Sequence, residues 1–184
     1  PKRDWSSDVC SSDLGARMAW LVFFAGVALT CAGSSYYHWR PDDDRLVWDR
    51  LPMTLAFVGL FAAMLSEHID ARLEHAVLWP GLIIGIGSVL WWRYSEDLRL
   101  YGWVQGAPLI AIPFVLAMFP ARFTQRAYLL YGLMFYGLAK VLELYDEPVY
   151  QLLGQAMSGH SLKHLLAAGA PLMLLVMLMR RRMA

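Results

Sequence analysis

Six apolar runs, separated by short charged or Pro/Gly-marked segments, organise the chain: Met18–His38, Asp49–Ser66, Ala76–Trp92, Tyr101–Phe119, Ala127–Leu144 and His160–Met179. Each is close to the ~20 residues that carry an α-helix across a hydrocarbon core of about 30 Å. The runs are continuously apolar rather than alternating, which favours helices over barrel strands. Trp39, Trp48, Trp79, Trp91, Trp92 and Trp103 stand at their ends, where an aromatic belt meets the membrane interface. Gly and Ala recur inside them, as in "GLIIGIGSV" and "YGLMFYGLAK", and small residues let helices approach closely in lipid. The pattern predicts an all-α polytopic transmembrane helix bundle with six helices.

Composition agrees, because 58% of the 184 residues are hydrophobic and only 17% charged, too apolar for an ordinary soluble domain. A formal net charge of +1 and the lack of basic patches interleaved with aromatics argue against a nucleic-acid partner. Cys10 and Cys31 have no metal-like or redox-like spacing. The opening "PKRDWSSDVCSSDL" is polar and aperiodic and lacks the apolar segment of a secretory signal. It resembles the translated read-through of a sequencing adaptor, so residues 1–14 are expected to be a non-native or disordered leader and 15–184 one transmembrane domain. No internal repeat or dividing linker is evident.

Alternating crossings put Trp39–Trp48, Arg93–Leu100 and Tyr145–Gly159 on one side, and Arg17, Arg72, Arg122, Arg126 and the terminal Arg180, Arg181 and Arg182 on the other. The terminal triplet points, by the positive-inside rule, to a cytoplasmic C-terminus. In a bacterial inner membrane the first-named side would then face the periplasm.

That side gathers the candidate chemistry. His160 and His164 in "SGHSLKH" are one helical turn apart and share a face at the start of the last run. His38 ends the first run on the same side. Three histidines with an open fourth position make a catalytic type of metal site. Ser34 lies one turn before His38, and Asp49 heads the second run eleven residues after it. A carboxylate beside a metal-bound water can act as general base, and a hydroxyl can hydrogen-bond a developing oxyanion. Intramembrane histidine is costly, which favours a functional reading.

Structural readings stand beside these. His160 and His164 also suit interfacial packing, Asp49 could pair with Arg50 or cap its helix, and Ser34 could be a small-residue contact or bond back to a carbonyl. His68 and His75, among Glu67, Asp70, Arg72 and Glu74 on the opposite side, read as a solvated loop. Lys140 and Glu143 read as an i,i+3 pair or a headgroup contact, and Asp42 to Asp44 as an exposed turn with a calcium contact as second reading.

Ser34-xxx-His38, Asp49 within "WDRLPMT" and "SGHSLKH" together resemble the alkaline ceramidase family, within the superfamily of seven-helix membrane hydrolases that includes the progestin and adipoQ receptors. "YYHWRPDDDRLVWDRLPMT", "EDLRLYGWVQ" and "AKVLELYD" look closest to its bacterial ceramidase-like branch, over roughly Ala16 to Leu178. The resemblance implies zinc held by His38, His160 and His164, with Ser34 and Asp49 beside the metal-bound water. It implies hydrolysis of the amide of ceramide, or a related lipid amide, to fatty acid and sphingoid base. The first run carries the motif of the family's second helix, so the resemblance implies a seven-helix fold lacking its first helix here. The family's calcium-binding acidic segment has no counterpart to map, which leaves calcium open. A receptor-like or catalytically weak member with a structural zinc is the alternative. A haem-binding bundle would need axial histidines on facing helices, and a transporter would show paired broken helices. The sequence sets neither acyl preference nor oligomeric state.

Overall fold

The computed structural model describes residues 16–120 and 122–183, and the expected leader, with Cys10, lies outside them. The helices are α1 Arg17–Trp39, α2 Asp43–His68, α3 Leu73–Ser95, α4 Arg99–Met118, α5 Ala127–Leu144, α6 Asp146–Leu152 and α7 Gly159–Arg180. All but α6 are long and apolar enough to cross a membrane, so the chain is an all-α polytopic membrane protein with six such helices among the described residues. Their outward faces carry large apolar side chains such as Ile83, Phe114 and Leu165, which suits contact with lipid. The helices fall into two compact units, a first ending at Arg122 and a second beginning at Phe123.

In the first unit α2 is the most enclosed helix, packed against α1, α3 and α4. Glycines set the α1–α2 spacing. A Cβ on Gly59 of α2 would lie 2.6 Å from the Phe23 nitrogen, and one on Gly26 of α1 would lie 2.8 Å from the Pro52 carbonyl oxygen. Pro52 also has no N–H to offer the Trp48 carbonyl one turn earlier. That carbonyl lies against Gly33, where a Cβ would also meet the Asp49 Cα at 3.3 Å. A weak Cα–H···O contact is the interaction open to such a pair. On its other side α2 receives Gly81 and Gly85 of α3 beside Val58 and Thr54.

The structure revises the boundaries at two places. Helix α2 begins six residues before Asp49, because Asp42 caps it by accepting the Arg45 N–H at 2.8 Å and Asp43 and Asp44 suit the positive end of the helix dipole. The acidic triplet is thus an exposed helix start, and Asp44 pairs with Arg93 of α3 at 2.6 Å. At its other end α2 runs through His68, so Glu67 is buried, accepting the Trp20 indole N–H at 2.7 Å, instead of lying in a solvated loop. His68 Nδ1 is 3.0 Å from the Met64 carbonyl oxygen. Glu74 of α3 accepts the Ala19 N–H at 2.9 Å, satisfying one orphan donor of the α1 start. Among the tryptophans assigned to the belt, Trp92 is instead buried, in a cluster with Val89 and Tyr101.

The second unit is built on α5 and α7. Gly132 faces the Ala170 carbonyl, and a Cβ on Gly169 would lie 2.6 Å from the Phe135 ring. Tyr145 ends α5 and opens the short helix α6, which occupies part of the segment expected to be a loop.

Gly59→Ala should destabilise the protein by about 1–3 kcal/mol, because the added methyl meets backbone that can yield only by moving a helix. Gly87→Ala, where a Cβ meets nothing within 4 Å, should be neutral or stabilising by up to about 1 kcal/mol. Thermal unfolding of the two variants in one detergent compares them directly.

Candidate metal centre

The candidate residues divide between the two units. Ser34, His38 and Asp49 belong to the first, and His160 and His164 to the second.

In the first unit Ser34 and His38 occupy the last turns of α1, one turn apart. Ser34 is half-buried and His38 exposed, its ring 5.1 Å from that of Tyr37. Asp49 is half-buried in the second turn of α2, at the point where Gly33 lets the α1 backbone approach. Two of the three structural alternatives change, while Asp49 still attracts Arg50 electrostatically. Asp42, not Asp49, caps α2. Arg50 lays its guanidinium over the Trp92 ring, 3.7 Å from its centroid. The back-bond to a carbonyl is made by Ser35, whose hydroxyl donates to Cys31 O at 2.7 Å.

In the second unit His160 and His164 occupy the first turns of α7, half-buried and exposed respectively. Their Nε2 atoms are 3.2 Å apart and their ring centroids 5.0 Å apart. Two nitrogens bound to one tetrahedral zinc at ordinary bond lengths stand about 3.3 Å apart, the edge of the coordination tetrahedron. The spacing also suits an N–H···N hydrogen bond between neutral rings, so the same rotamers serve with and without an ion. The i,i+4 spacing aligned the two residues; the shared side-chain direction is a product of the fold.

Three ties hold this helix start. Ser158 is the cap, accepting the Ser161 N–H at 3.1 Å. Asp146, at the start of α6, accepts the His160 N–H at 2.7 Å. Lys163, on the same turn, donates to Glu143 of α5 at 2.7 Å, and Glu143 also takes the expected bond from Lys140. Gly159 makes the approach possible, since a Cβ there would lie 2.9 Å from the Asp146 Cα. The sequence reading missed Asp146 and the Glu143–Lys163 pair. Their signal, the acidic "ELYDEP", is fourteen residues before His160 at Asp146, a separation that no helical period converts into contact.

Comparison with known proteins found no matching family model, no matching curated protein and no matching solved structure.

Asp146→Ala should loosen the first turn of α7, costing about 1 kcal/mol as loss of a capping acceptor does, whereas Asp146→Asn keeps an acceptor oxygen and most of the stability. Amide hydrogen exchange at His160 should accelerate in the alanine variant and stay near the parent rate in the asparagine one.

Proposed function

We propose that this protein is a zinc-dependent membrane hydrolase that cleaves the amide bond of ceramide or a related lipid amide. The observation carrying the reading is the 3.2 Å separation of the His160 and His164 Nε2 atoms, which fits two ligands of one tetrahedral ion. His38 is the proposed third ligand. Four crossings intervene between the end of the first run and the start of the last, so alternation returns the chain to the side of His38. Three neutral imidazoles leave one coordination position for water or substrate, the arrangement of catalytic rather than structural zinc.

Zinc bound there supplies Lewis acidity towards a carbonyl oxygen and makes water acidic near neutral pH. The Asp49 carboxylate accepts a proton from the attacking water and returns it to the leaving amine nitrogen. The C–N bond breaks as the new C–O bond forms, giving a fatty acid and a sphingoid base. The Ser34 hydroxyl donates a hydrogen bond to the oxyanion. The lipid-facing apolar helix surfaces suit a substrate that arrives from within the bilayer. The arginine triplet Arg180 to Arg182 supports a cytoplasmic C-terminus, placing the proposed site towards the periplasmic side of a bacterial inner membrane.

Detergent-purified protein should hold one zinc per chain and release fatty acid from ceramide. The double variant His160→Ala/His164→Ala should lose the metal and reduce turnover more than about a hundredfold, since loss of outer-shell partners alone costs up to that much. Metal analysis paired with product chromatography makes the test. Zinc without product would replace the hydrolase with a receptor-like member carrying a structural ion, and protein without zinc would return the histidines to packing.

Asp49→Asn should keep its zinc while turnover falls by about 10² to 10⁴, the range for a lost general base. Turnover at the parent rate would remove Asp49 from the reaction.

A further inference from the structure

Arg50 is the unusual side chain of the first unit. It is half-buried in a membrane-crossing helix, where an ionised group is costly unless it is compensated. Its guanidinium lies 3.7 Å from the centroid of the buried Trp92 ring and 5.2 Å from that of Tyr101. Its Nη1 is buried with no hydrogen-bond partner among the described residues. Two ring faces attract the cation, and the Asp49 and Asp43 carboxylates act on it electrostatically, but a guanidinium carries five donors and none of these groups accepts a bond from Nη1.

Position narrows the missing acceptor. Arg50 lies seven residues after Asp43, the start of α2, or about 10 Å along the helix axis. A helix of 26 residues is about 39 Å long, so roughly 4 Å at each end exceeds a 30 Å hydrocarbon core. The Arg50 backbone then sits about 6 Å inside the apolar layer, a depth from which an arginine side chain reaches headgroup level. Trp92 and Tyr101 stand three residues from the end of α3 and two from the start of α4, so the rings frame the guanidinium near the same interface. Gln105 Nε2 donates to the Tyr101 hydroxyl at 2.6 Å and Tyr101 contacts Met53 Sδ at 3.7 Å, which holds the second ring in place.

We propose that Arg50, framed by Trp92 and Tyr101, is a binding site for an anionic phospholipid, which it holds through the headgroup phosphate. A planar fork matches two phosphate oxygens, and the aromatic contacts hold it in the orientation to present them. Arg50 adjoins Asp49 and attracts it electrostatically, but the lipid proposal does not rest on the metal reading.

The test reads retained lipid by native mass spectrometry after reconstitution with equal amounts of phosphatidylglycerol and phosphatidylcholine, with oleate as a competing carboxylate. The parent protein should retain phosphatidylglycerol at least about tenfold over phosphatidylcholine, whose phosphate charge is offset by its own choline cation, the size of about one charge-assisted contact. Arg50→Gln should abolish the preference, and Arg50→Lys, which keeps charge but loses the fork, should retain only part of it. Parent protein without a preference would overturn the proposal by itself, whatever the variants do. A preference unchanged in Arg50→Gln would place the lipid elsewhere, and displacement by equimolar oleate would make the site a carboxylate site instead. Zinc content and ceramide turnover have no bearing on any of these outcomes.

Discussion

The backbone contact between α1 and α2 is the constraint on which the first unit depends. Lipid tails are as apolar as leucine, so two helices in hydrocarbon gain little from hiding apolar surface against each other. They gain from close van der Waals packing, and Gly26, Gly33 and Gly59 remove the side chains that would keep the axes apart. Pro52 offers no N–H to the Trp48 carbonyl, and that carbonyl lies against Gly33 in the same contact. Asp49 follows Trp48 and Ser34 follows Gly33. The position of both polar groups thus follows from a contact made by neither of their side chains.

The second unit solves a different problem. Helix α7 is apolar along most of its length, and its polar start carries the two histidines. A free helix start exposes unsatisfied N–H groups, which frays the first turn unless acceptors hold it. Ser158 and Asp146 supply those acceptors, and Glu143 adds an ionic tie to Lys163. Histidines on a held turn keep a fixed separation, and a fixed separation is what a metal of defined geometry selects. For the proposed metal site, Asp146 and Glu143 would be positioning residues in this sense.

Arg50 shows how the membrane turns one unsatisfied donor into a demand. At a soluble surface water would meet it without consequence. Within the hydrocarbon core of a crossing helix the acceptor must come from protein or from lipid. The described protein supplies two ring faces and nearby carboxylates but no acceptor for Nη1, and the headgroup layer is the proposed source.

The six crossings were legible in the sequence because each is a long apolar run, a signal that belongs to one segment at a time. The one-turn spacing of Ser34 with His38 and of His160 with His164 was legible for the same reason, since helical periodicity acts within a segment. Boundaries were less so: the charge of Asp42 to Asp44 suggested a turn, and only the N–H groups of a helix starting there explain those residues as its cap. Glu67 and Trp92 looked like surface residues at the ends of runs, and tertiary packing buried them by giving one an indole donor and the other an aliphatic cluster. Asp146, Glu143 and the Arg50–Trp92–Tyr101 frame join residues from different helices. The sequence determined which segments cross and which residues share a turn. The tertiary structure alone decided which side chains meet between helices, because those contacts depend on interhelical distances that no periodicity encodes.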